Sequence, residues 1–125
     1  MSDNLELERE MARLEFLETA GREIARTVIH EADIEAALAE ENPDEDVLIN
    51  LVGFLEASLP DLLDGAIFVV DLNSHPDISG DELRLSALKK LEQFFIDTIA
   101  AGTDSEVQTF LEECLNIVES ELEKL

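Results

Sequence analysis

The stretch SGDELRLSALKKLEQFFIDTIAAGTDSEVQTFLEECLNIVESELEKL, residues 79–125, decides the fold. Ser79 and Glu82 stand at capping-box spacing, and Leu88, Leu91, Phe95 and Ile99 follow on one helical face with Phe94 beside them. Gly102 supplies a residue that accepts the left-handed turn ending a helix, and Thr103 with Glu106 repeats the start signal at once. Val107, Phe110, Leu111, Cys114, Leu115, Val118, Leu122 and Leu125 then form one apolar stripe, with Glu112, Glu113, Glu119, Glu121 and Glu123 elsewhere around the helix. Such stripes need other helices to cover them.

Upstream, Leu7, Met11, Leu14, Leu17, Gly21, Ile24 and Val28 recur at intervals of three and four behind a capping box of Asp3 and Glu6, which predicts a long amphipathic helix. It is expected to continue through Ile34, Ala37 and Leu38 to about Glu41, with a kink near His30 where Thr27, Val28 and Ile29 are β-branched. Asn42 as cap, Pro43 at the first helical position and Glu45 at the third start the next helix, with Val47, Leu48, Leu51, Leu55 and Leu59 as its buried stripe. Pro60 is predicted to open another short helix through Leu62, Leu63, Ala66, Ile67, Val70 and Leu72, apolar on nearly every side and therefore the most buried element. Residues 66–70 also read as a strand, but one without a partner, so helix is preferred. The expected fold is all-α: a compact bundle of about five helices in one domain, residues 1–125.

With 125 residues, 46% of them apolar and 31% charged, the chain is long and apolar enough to fold around one core. No apolar run reaches the ~20 residues that cross a bilayer, and the start lacks the basic residues of a signal peptide, so a cytoplasmic protein is expected. The single cysteine, Cys114, cannot form an internal disulfide and falls on an apolar stripe, where it is expected to pack as core with a raised pKa.

The anomaly is charge: 31 acidic against 8 basic residues give a formal net charge of −23. From Thr27 to Leu83 there is no Lys or Arg, and the acids there have no local basic partner; from Leu91 to Glu123 the pattern repeats. Arg9, Arg13, Arg22 and Arg26 lie on the first helix, where Glu6, Glu10, Glu18 and Glu23 are expected to pair with most of them.

Most chemistry is excluded by composition. Direct nucleic-acid binding is opposed by the same charge, with no basic stripe or stacking platform. Phosphate-binding glycine loops are missing, since the five glycines are scattered singly. His30 and His75 stand alone, Trp and Tyr are absent, and most of the six Phe fall in apolar runs that read as core. An enzyme is not expected.

Asp71-Leu72-Asn73-Ser74-His75-Pro76-Asp77-Ile78-Ser79-Gly80-Asp81-Glu82 is the one stretch with a motif-like pattern. It resembles an EF-hand calcium loop. The resemblance implies oxygen ligands at Asp71, Asn73, Ser79 and Glu82, with Asp77 between them and the hydrophobic residue of the motif at Ile78. It departs from the motif at the fifth position, His75, and at the sixth, where Pro76 replaces the glycine of the sharp turn. The alternative is a polar turn capped by Ser79 at a helix start.

A surface unselected for charge would not be expected to reach −23, because self-repulsion costs stability. The expectation is a non-enzymatic binding protein that covers a basic surface, of a nucleic-acid-binding protein in particular. In this it is similar in character to acidic helical DNA-mimic inhibitors, anti-CRISPR proteins and immunity proteins against nuclease toxins. Candidate contact residues are Glu31, Glu35, Glu40, Glu41, Asp44, Glu45, Asp46, Glu112, Glu113 and Glu119. A calcium-responsive helical module built on residues 71–82 is the second expectation, and a halophilic background a third. A homodimer through an exposed stripe of the first helix stays open.

Overall fold

In a computed structural model the chain is an all-helical bundle, described here for residues 2–40, 43–70, 78–102 and 104–125. Five helices follow one another: α1 (Ser2–Glu31), α2 (Ile34–Ala39), α3 (Glu45–Phe68), α4 (Gly80–Ala100) and α5 (Ser105–Glu123). The four long helices form a ring in the order α1, α4, α5, α3, with α4 also touching α3 across the middle, and short α2 lies against α1 and α3. The α3–α5 edge thus lies opposite the α1–α4 edge.

The boundaries differ from the sequence expectation in instructive ways. α1 already begins at Ser2, so Asp3 lies inside the helix and not at its cap. The expected kink near His30 is a full break: Asp33 takes the left-handed conformation (φ 57°), which stops α1, and its carbonyl accepts from Ala37 N–H at 3.1 Å to start α2. α3 begins at Glu45, with Asp44 as cap accepting from Asp46 N–H at 3.0 Å; Asn42, the expected cap, lies outside the described residues. Thr103 lies outside them too, and Asp104 occupies the residue before α5.

Pro60 does not open a new helix but sits inside α3. Proline in a helix interior costs roughly 3 kcal/mol. Leu55, Leu59 and Leu63 are all fully buried on the stripe that runs past it. Burial of each contributes roughly 2 kcal/mol, so keeping the stripe continuous outweighs the lost hydrogen bond. The end of α3 is helical to Phe68, yet it is not the most buried element: Phe68 and Val69 are 89% and 80% exposed. Phe54 is exposed as well, while Phe95 and Phe110 are core.

The most enclosed helix is α4, whose Leu83, Ala87, Leu88, Leu91 and Phe95 are buried between α1 and α5. Its start matches the capping-box reading: Ser79 Oγ accepts from Glu82 N–H at 3.2 Å. Its end is Gly102, with φ 88°, whose N–H donates to the Ile99 carbonyl at 3.1 Å. α1 and α4 approach so closely that Ser86 Oγ donates to the Leu17 carbonyl at 2.7 Å. A Cβ on Gly21 would stand 2.9 Å from Ser86 Cβ and closer still to its hydroxyl.

Two substitutions test these packing arguments by urea denaturation followed by circular dichroism. Gly21→Ala should destabilise the chain by about 1–3 kcal/mol, because the two helices must move apart to admit the methyl group. Pro60→Ala should stabilise it by about 1–3 kcal/mol, because a helical N–H is restored without breaking the leucine stripe.

Candidate acidic interaction face

The few cations are concentrated on two helices. α1 carries Arg9, Arg13, Arg22 and Arg26, α4 carries Arg84, Lys89 and Lys90, and Lys124 follows α5. α4 is thereby nearly balanced, with Asp81, Glu82, Glu92 and Asp97 against three bases. Its bases reach outward to neighbours: Lys90 pairs with Glu18 of α1 and Arg84 with Asp64 of α3, while Arg13 of α1 pairs with Glu82 of α4. On α1 itself, Arg22 pairs with Glu18 at 3.4 Å. The Lys90 ammonium, seconded by Arg22, holds the Glu18 carboxyl below the usual carboxylate range.

The acids of residues 27–83 have no local basic partner, and two of them have distant ones. Asp64 and Glu82 find theirs across the fold. Of the α1 arginines, Arg22 has an ion pair inside its own helix, and Arg13 pairs with Glu82 of α4.

The opposite edge is left uniformly negative. α3 carries Glu45, Asp46, Glu56, Asp61 and Asp64, α5 carries Glu106, Glu112, Glu113, Glu119, Glu121 and Glu123, and neither helix contains Lys or Arg. Among the described residues only Asp64 and Glu121 of these acids have an ion pair, Glu121 with Lys124 at 2.9 Å. A groove runs between the two helices, lined at one end by Glu45, Leu48, Ile49, Glu106, Thr109, Phe110 and Glu113. It continues along Val52, Glu56, Glu113, Asn116, Ile117 and Ser120. Carboxylates thus rim an apolar floor.

Of the candidate contact residues, the structure brings Glu45 and Glu113 together in that groove. Asp44, Asp46, Glu112 and Glu119 are exposed on the same two helices or their caps. Glu31 and Glu40 are exposed at the ends of α1 and α2, and Glu41 lies outside the described residues. Glu35 belongs elsewhere: it shares a groove with Arg22, Arg26 and Lys90 on the cationic side. Glu106 and Glu56, not among the candidates, complete the acidic rim; the seven-residue interval from Glu106 to Glu113, two helical turns, is a sequence signal for Glu106, and none marks Glu56.

Of the calcium-loop candidates, Asp71, Asn73 and Asp77 lie outside the described residues. Ser79 caps α4 and Glu82 pairs with Arg13. Among the described residues no His, Cys, Asp and Glu side chains gather in a way that could hold a metal ion. His30 is exposed at the last turn of α1. No helix of the described residues is long and apolar enough to cross a membrane. No known protein family matches the chain, and neither a curated protein nor a solved structure shows significant similarity to it.

Cys114 is fully buried on α5, and burial, with Glu113 adding to it, pushes its thiol up to about 12. The folded chain should therefore react with a disulfide reagent at neutral pH far more slowly than the same chain in urea. A raised thiol pKa favours the protonated fold, so this contribution is complete below the ordinary thiol range. It should be lost as pH climbs from about 9 toward 12, and a Cys114→Ala variant should show a shallower alkaline decline in melting temperature.

Proposed function

We propose that this protein is a non-enzymatic acidic binding protein that covers a basic, nucleic-acid-binding surface of a protein partner. One observation carries the reading: helices α3 and α5 carry eleven acids and no Lys or Arg, and among the described residues only Asp64 and Glu121 of those acids are paired, while three bases of α1 and α4, Arg13, Arg84 and Lys90, are engaged in pairs between helices.

Charge density supports a nucleic-acid-binding partner. α5 is 19 residues long, so it spans roughly 28 Å, and its six acids, distributed around the helix, average about one charge per 5 Å. A DNA strand carries about one per 3.4 Å of axis, so the average falls within a factor of two of a strand. The apolar floor of Leu48, Ile49, Val52 and Phe110 adds a contact that a phosphate backbone lacks. It would let the protein bind its partner more selectively than DNA does. A field of one sign also speeds encounter with a basic surface.

The test is affinity purification from the source cells, identification of the captured protein, and titration of the purified pair. The expected partner has a basic nucleic-acid-binding surface, is displaced by duplex DNA, and loses affinity steeply with salt. Reversing Glu45, Glu106 and Glu113 to Lys should weaken binding by about 100-fold or more, as loss of buried charge pairs does. Recovery of only neutral or acidic partners, or binding indifferent to salt, would overturn the reading.

A further inference from the structure

The apolar stripe that α1 buries in the bundle does not stop where the bundle stops. From Ala20 to Ile29 it is core, but in the two turns before it the same side of the helix carries Leu7, Met11 and Leu14, 57%, 61% and 55% exposed. These residues recur at four and three, the spacing that faces a partner helix. With Leu7 and Leu14 at d positions, Met11 takes the a position between them. Glu8 and Glu15 then fall at e and Glu10 at g, all exposed, while Arg9 and Arg13 fall at f and c, away from the seam.

The flanks decide what can cover the stripe. A second copy cannot do so favourably in either direction: a parallel pair sets Glu10 against Glu15, and an antiparallel pair sets Glu10 against Glu10 in one register or Glu8 against Glu15 in the next. A helix with Lys or Arg at its own e and g positions meets every one of these carboxylates with an opposite charge. From this complementarity we infer that the N-terminal half of α1 is a docking site for a basic amphipathic helix of a partner protein. The surface is separate from the α3–α5 groove, and the inference stands without the reading given to that groove.

The chain contains two methionines, Met1 and Met11, so a carbon-13 methyl label on methionine gives two resonances, and a Met11→Leu variant assigns that of Met11. The probes are two synthetic amphipathic peptides with leucine at a and d, one with Lys and the other with Glu at e and g. The Lys peptide should shift the Met11 methyl resonance and bind at least about tenfold more tightly than the Glu peptide. The triple variant Leu7→Gln, Met11→Gln, Leu14→Gln keeps every charge and good helix propensity at exposed sites, and should lose at least about tenfold of that affinity. The triple variant Glu8→Lys, Glu10→Lys, Glu15→Lys should prefer the Glu peptide. Undiminished binding of the Lys peptide to the glutamine variant would show attraction to the net charge alone and overturn the inference. So would an unmoved Met11 resonance, or a dimer in sedimentation equilibrium that the glutamine variant abolishes.

Discussion

The close crossing of α1 and α4 at Gly21 and Ser86 is the constraint on which the remaining architecture rests. It brings α4 deep enough between its neighbours for Leu83, Leu88, Leu91 and Phe95 to be buried from both sides. It also sets the distance at which Lys90 reaches Glu18 and Arg13 reaches Glu82. A side chain on Gly21 would lengthen those contacts together, so packing and charge pairing between the two helices are one problem with one solution. The Ser86 hydroxyl closes it by giving the Leu17 carbonyl a second hydrogen bond in a helix that already satisfies its own backbone.

A net charge of −23 works against compaction, and the fold answers by placement rather than by neutralisation. Three of the cations, Arg13, Arg84 and Lys90, stand where helices meet, and their partly shielded pairs are screened less than exposed ones. The carboxylates of α3 and α5 face water, whose high dielectric weakens their mutual repulsion. Packing of aliphatic side chains, among them Leu55, Leu59, Leu63 and Leu111, then supplies the cohesion.

The all-helical bundle was legible in the sequence because capping and periodicity agree: Ser79, Glu82 and Gly102 bound α4 as the spacing predicts. Pro60 misled because a local rule was applied where three leucines on one stripe outweigh it, a weighing that needs the burial itself. The break at Asp33 was legible only as a kink near His30, because aspartate carries no obligatory left-handed signal, unlike the glycine at 102. The number of helices matched for compensating reasons, one boundary gained at Asp33 and one lost at Pro60. Of the acidic face, the two tracts without bases were readable. Their convergence of Glu45, Glu56, Glu106 and Glu113 on one groove, and the position of Glu35 beside arginines, depend on which helices become neighbours.

The concentration of seven of the eight cations on α1 and α4 has an effect distinct from total charge. A body negative throughout, but less so along α1 and α4 than along α3 and α5, possesses an electric dipole as well as a monopole. In the field of any positively charged surface it experiences a torque before it makes contact, and rotates until the α3–α5 edge leads. Orientation is thus selected during diffusion, and fewer collisions are wasted on the wrong side of the molecule.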